Sequence, residues 1–532
     1  MADKEQDKVA VTYDAEAVPE PMTVRRPEEH VVKYFFRKLV ARKSIEQILR
    51  DGEKSQMKRT LGALDLVFIG VGCIIGGGIF VLTGVAAAQH AGPAVIVSFI
   101  IAGVCACFAA FSYSELASMV PISGSAYTYT YSTMGELMAW IIGWDLILEY
   151  LVGAATVAVS WSSYLSALFK DAFNVTLDPK TTGTPVIWEN DSFVTTGNII
   201  NIPAILIVLI LTAVLVVGVR ESATVNAVMV VIKVLVVLLF IFASCNKVDP
   251  DNYKPFVPPA KDGEFGALGI IRGAKQVFFA YIGFDAVSTA AQETKNPKRD
   301  LPIGIIGSLA ICTSLYIATS AVLVGLRPYQ ELNVAHPISY ALETFPNTRW
   351  LRIIIDLGAV AGLMSVMLIL MMGQPRIFYT MSRDGMLPGL LGRLHPRFKT
   401  PWVPTLITGA CCAVLAGFLP VDLLGDMTSV GTLLAFFLVN AGVIILRWTD
   451  PDAPRGFRVP LGPYVFPVLG GVISIALIVL SDVSTIYRLL GWLGIGLIIY
   501  FIYGFRHSRI NHPERHPVIP EEVDNGLDTS EN

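Results

Sequence analysis

Twelve long apolar runs dominate the chain: residues 64–88, 93–119, 134–168, 199–219, 223–244, 267–291, 302–326, 350–382, 402–420, 427–448, 462–481 and 485–506. A helix crosses the hydrocarbon core of a bilayer with about 20 apolar residues. In lipid only helices and closed barrels satisfy their own backbone, and a barrel would show shorter segments of alternating polarity. The runs therefore predict an all-α integral membrane protein of about twelve transmembrane helices. Composition agrees: charged residues are 16% and hydrophobic residues 53%, where a soluble domain carries about 25% charge. This disfavours a soluble enzyme, a nucleic-acid binder and a fibrous protein. A net charge of −3 implies no acidic partner.

What charge there is gathers at the ends. Residues 1–60 hold thirteen Lys and Arg, and residues 510–532 are rich in acids, His and Pro. The first run follows Arg42, Lys43, Arg50, Lys54, Lys58 and Arg59, whereas the loop at 89–92 has neither Lys nor Arg. The positive-inside rule then puts both termini in the cytoplasm of a multi-pass plasma-membrane protein. The expected organisation is a cytoplasmic tail over 1–60, a membrane domain over 61–506 and a second tail over 507–532. No cleavable leader is expected from so polar a start. The basic stretch Arg37–Lys43, with Tyr34, Phe35 and Phe36 before it, could lie on an anionic leaflet or be a solvated tail. Two glycosylation sequons, at Asn174 and Asn190, fall in the 170–198 loop expected outside.

Two runs resist the helical reading. The first holds Gly70, Gly72, Gly76, Gly77 and Gly78, five glycines in nine residues, each costing about 1 kcal/mol against Ala in a helix interior. The sixth reads Phe278-Phe-Ala-Tyr-Ile-Gly-Phe-Asp285, with a glycine and a carboxylate at mid-depth. The two stand five spans apart, as expected for an inverted repeat of 61–244 and 265–448, with 462–506 added as two C-terminal helices. Interrupted segments at matching positions of two halves point to a transporter binding site. A half-helix starting near Gly77 offers unpaired N–H groups to a carboxylate. Half-helices ending near Ile74 and Ile282 leave carbonyls for an ammonium. Together they would hold an α-amino acid by its zwitterionic part.

The residues at these places are similar to those of the amino acid–polyamine–organocation superfamily, and most like its cationic amino acid transporter family. The likeness lies in Gly70–Gly84, Ser114–Tyr127, Ile142–Tyr150, and Phe278–Thr289 followed by Gln292–Pro302. It implies a five-plus-five inverted repeat with alternating access and secondary active transport. It also implies that the amides of Gly77 and Gly78, beside Gly76, take the substrate carboxylate, and that the carbonyls of Ile74 and Ile282 take its amine. Phe279 matches the family's aromatic gate, and Glu149 an acid of the third span. Asp285 sits where relatives place an acid in or beside the pocket, so it reads an ammonium, carries a proton or caps the broken helix. Lys233, mid-way along the fifth run, falls where sodium-coupled relatives hold the ion. Its ammonium would substitute for sodium, and its proton cycle would couple transport to the proton gradient; a permanent tether is the alternative.

The chain departs from animal members of the family in having twelve rather than fourteen spans. In Leu363-Met-Ser-Val-Met367, a Met367 facing the pocket would fill the space a lysine or arginine tail needs. The reading is thus a proton-coupled amino acid transporter. The alternatives are a cationic uniporter or exchanger and a non-transporting sensor. Glu115 is expected at a gate or interface, and the stretches Lys295–Asp300 and Arg376–Asp384 in inner-gate ion pairs or, equally, in a plain positive-inside role. No nucleophile–base set, metal-ligand spacing or dinucleotide motif is present, so no enzyme activity, cofactor or metal is expected. Nothing in the sequence sets the oligomeric state.

Overall fold

The computed structural model describes residues 31–43, 59–121, 125–189, 192–218, 223–261 and 264–511. Helices occupy all twelve apolar runs. In chain order they are α1 (Val31–Leu39), α2 (Ala63–Ile74), α3 (78–91), α4 (Val95–Met119), α5 (Ser125–Thr133), α6 (Glu136–Phe173), α7 (Ile202–Val217), α8 (Ala223–Ser244), α9 (Gly266–Phe278), α10 (Ala286–Thr289), α11 (Pro297–Leu326), α12 (Arg349–Arg383), α13 (Trp402–Phe418), α14 (Val421–Thr449), α15 (Phe466–Val479) and α16 (Val483–His507). Among the described residues seven helical segments are long and apolar enough to cross a membrane, and four shorter apolar helices accompany them.

Local chemistry sets the ends. Asn201 caps α7 by accepting from the Ala204 amide at 3.2 Å, and the positive φ of Gly218 ends it. Asn174, left-handed at φ 55°, ends α6. Beyond α6 a short hairpin, β1 (Val186–Glu189) and β2 (Ser192–Thr195), pairs antiparallel with Val186 opposite Thr195.

Burial orders the helices from centre to rim. The apolar window of α6 is 89% buried within the protein, against 22% for α16. Against α6 lies α12, and α11 packs on both α4 and α2. Exposed Val472 and Ile498 on α15 and α16 suit lipid. Residues 31–43 of the expected tail pack on the body: Phe35 lies 5.3 Å from the Phe505 ring, and the Glu136 amide donates to the Ala41 carbonyl at 3.0 Å. The face holding residues 31–43 and 508–511 is called the terminal face below.

Candidate substrate site at two broken helices

The first run is broken where its glycines cluster. Helix α2 ends at Ile74, Ile75 is extended (φ −72°, ψ 98°), and α3 begins at Gly78 with a π turn. Among the described residues the amides of Gly76, Gly77 and Gly78 meet no backbone acceptor. They are the bare N-terminal donors of α3, at the positive end of its dipole.

The sixth run breaks too. Helix α9 tightens into a 3-10 turn at Phe279–Tyr281, Ile282 is extended (φ −64°, ψ 138°), and α10 starts at Ala286. Among the described residues no backbone donor reaches the Ile282 carbonyl. Gly283 has φ +114°, and a Cβ there would lie 2.9 Å from the Cys73 carbonyl carbon. A Cβ on Gly78 would lie 2.3 Å from Ala280 Cα. The two breaks thus meet backbone to backbone, which only glycine permits.

Between them is a hollow of about 290 Å³, whose walls leave clear little more than a single water's room. Ile74, Gly76, Gly77, Gly78, Phe279 and Ile282 line it, as does Glu149. Its apolar wall is Val157, Val366 and Leu370. Met367 is fully buried, yet it is Val366 and Leu370 that α12 turns to the hollow. Asp285 stands behind the wall, accepting from Tyr150 Oη at 2.8 Å and Ser125 Oγ at 3.4 Å.

Lys233 reaches the first break from α8. Its Nζ donates to the Gly72 carbonyl at 2.7 Å and the Ile75 carbonyl at 3.4 Å. Gly362 of α12 makes room for its stem: a Cβ there would lie 3.2 Å from Lys233 Cγ. Tyr316 Oη donates to the Ile74 carbonyl at 2.7 Å. Gly362 and Tyr316 went unnoticed in the sequence, since an isolated glycine and a tyrosine are unremarkable in apolar runs. The carbonyl of Ile74 keeps a second lone pair for another donor.

Ionic contacts close both ends. On the face opposite the termini, Lys275 Nζ sits 2.9 Å from Asp426 and 3.8 Å from Asp482. Arg272 bridges Asp482 (3.4 Å) and Glu264 (2.6 Å), and His90 Nδ1 lies 2.7 Å from Glu264. Partial burial pushes the Glu264 carboxyl up, but His90 and Arg272 outweigh it and hold it below the usual carboxylate range. This network was not read from the sequence either.

On the terminal face Asp384 pairs with Lys43 and accepts from Tyr127 Oη at 2.7 Å. Among the described residues no ion pair joins Lys295, Arg299 or Asp300 to a partner. Glu115 anchors a buried cluster, accepting from Arg447 Nε and Nη2, both at 2.8 Å, and from the Val459 amide at 2.8 Å. The Asn190 sequon lies outside the described residues, while Asn174 Oδ1 accepts from Arg349 at 3.1 Å.

The family model for amino acid permeases matches residues 61–503. The branched-chain amino acid permease BcaP of Bacillus subtilis (strain 168) is 46% identical over 473 residues, 88% of this chain and 98% of that protein. The methylthioribose transporter of the same organism is 44% identical over 473 residues, 89% of this chain and 99% of that protein. Cationic amino acid transporter 4, vacuolar, of Arabidopsis thaliana is 39% identical over 416 residues, 78% of this chain and 68% of that protein.

Proposed function

The chain belongs to the amino acid permease family, a family of transporters rather than enzymes, and from that premise we propose that it is a secondary active amino acid transporter coupled to protons through Lys233. The substrate zwitterion bridges the breaks: carboxylate on the Gly77 and Gly78 amides, ammonium on the Ile74 and Ile282 carbonyls, and Phe279 over it. The side chain lies against Val157, Val366 and Leu370. That wall favours a branched aliphatic substrate over a cationic one, in keeping with the branched-chain amino acids for which the Bacillus subtilis permease is named. Twelve crossings, ten of them in two five-helix repeats, and a cytoplasmic terminal face complete the reading. It places the protein in the plasma membrane.

The observation that carries the coupling is the reach of Lys233 Nζ to the Gly72 and Ile75 carbonyls. An ammonium there ties the last turn of α2 to α8. Losing its proton removes the charge-assisted contact, worth about 1.5–3 kcal/mol, so the preference between two arrangements of α2 moves about ten- to a hundredfold. Protonation thereby sets which face the site opens to.

Uptake of a panel of amino acids into proteoliposomes, with and without an imposed pH gradient, tests this. Leucine, isoleucine and valine should enter best, driven by the gradient. Lys233→Ala should lose the pH dependence. Gradient-independent uptake by the wild type would remove the coupling, and preferred uptake of arginine would remove the aliphatic assignment. Methylthioribose in the same panel checks for a substrate without a carboxylate.

A further inference from the structure

A second cavity, partly open and with clear room for only a few waters, lies on the far side of Asp285 from the hollow. Tyr150 and Ser125, the two donors to Asp285, are in its wall, and Glu149, the neighbour of Tyr150, is in the wall of the hollow. The Tyr150–Asp285–Ser125 group is therefore a partition between two chambers. The second chamber opens toward the terminal face, since Tyr127 lines it and donates to Asp384, which pairs with Lys43.

One charge stands in this chamber, the guanidinium of Arg376 on α12. Among the described residues no acid pairs with it; Glu293 is the acid whose field it feels, without an ion pair between them. The hydroxyls of Tyr127, Tyr150, Ser125, Thr289 and Thr380 already donate within the protein. Arg376 thus supplies the chamber's uncommitted N–H donors, in a planar fork that suits a carboxylate. The rest of the wall is apolar: Ile369, Met372 and Ile377. Arg376 is itself exposed, so its guanidinium is reachable by a ligand entering the chamber, and a carboxylate there would exchange the fork's surroundings for a two-point, charge-assisted contact.

We propose that this chamber is a second binding station, in which Arg376 takes the carboxylate of an aliphatic amino acid on the terminal-face side of the Tyr150–Asp285 partition. The inference rests on the transport reading above, as the next stop for a substrate leaving the hollow. It also lets amino acid accumulated on the terminal face occupy the path and slow further import.

The test separates the two sites with 4-methylpentanoate, which has a carboxylate and an aliphatic tail but no amine to complete the hollow. Equilibrium binding of labelled 4-methylpentanoate and labelled L-leucine is measured on the full chain in nanodiscs. The wild type should bind 4-methylpentanoate saturably, and Gly78→Ala, which disrupts the hollow, should bind it equally. Arg376→Gln should weaken it at least about tenfold, the loss of one charge-assisted contact, and Arg376→Lys should weaken it less. Met372→Trp, which fills the chamber without touching the charge, should also weaken it and guards against misfolding of the Arg376 variants. Absence of saturable binding, unchanged binding in Arg376→Gln, or loss in Gly78→Ala would each overturn the proposal. A wild type that binds both ligands, with leucine binding lost in Arg376→Gln but untouched in Gly78→Ala, would sink the reading of the hollow and leave the chamber standing.

Discussion

Adjacent glycines of the first break should respond very differently to one added methyl group. At Gly78 a Cβ would lie 2.3 Å from Ala280 Cα, roughly 1 Å short of the 3.4 Å at which ordinary contact begins. The obstacle is backbone of the second break, so no rotamer change relieves it. At Gly76 the nearest neighbour is Val366 Cγ1 at 3.3 Å, a side chain that can give by a few tenths of an ångström. Overpacking of this kind costs about 1–3 kcal/mol, and here it is spent in parting the two breaks. A displacement near 1 Å of groups that must act together costs about a hundredfold. Gly78→Ala should therefore raise the leucine Kd about a hundredfold, whereas Gly76→Ala should change it by about threefold or less. The assay is equilibrium leucine binding to purified protein, with size-exclusion profiles confirming that both variants fold. Wild-type affinity in Gly78→Ala, or a larger loss in Gly76→Ala, would refute the reasoning.

Other outcomes follow from the contacts that close the ends. Lys275→Ala strands Asp426 beneath the face opposite the termini, and breaking a buried pair costs about 3–5 kcal/mol; a clear fall in Tm is expected, with Lys275→Met/Asp426→Leu recovering much of it. Glu264 has its folded pKa depressed, so its stabilisation is present above the unfolded value of about 4.3. It is lost as pH falls through the folded value. With 28% of its side chain exposed, screening limits the effect to about 1 kcal/mol. Tm measured from pH 6 to pH 3 should drop less in Glu264→Gln than in the wild type. Enlarging Gly362 to Val crowds the Lys233 stem, and gradient-driven uptake should fall several-fold while binding without a gradient changes little. Equal loss of both would mean that Gly362 serves packing alone.

Much of this was legible because lipid imposes strict rules. Apolar length alone located every long helix. Five glycines and one carboxylate at mid-depth located both breaks, since neither belongs in an uninterrupted helix surrounded by hydrocarbon. Lys233 was legible for the same reason: an ammonium ten residues from either helix end needs a partner inside the protein. What escaped notice lies where residues look ordinary. The middle of α12, residues 357–373, carries no charge on any face, so no periodicity fixed its inward face. The expectation fell on Met367, one position from Val366, which lines the hollow. Tyr316 and Gly362 carry no mark in an apolar run, and only the fold brings them to Ile74 and Lys233. Lys275 and Asp426 are 151 positions apart in sequence, and nothing local to either joins them. Glu115 was expected at a gate or interface, and it sits in a cluster that binds α4 to Arg447 of α14.

The most direct measurement is a structure of the full chain with L-leucine bound. The account requires the carboxylate within hydrogen-bonding distance of the Gly77 and Gly78 amides, and the ammonium on the Ile74 and Ile282 carbonyls, with Lys233 still at Gly72. Leucine bound elsewhere, or held at that place by side chains while those peptide groups stayed bare, would contradict it.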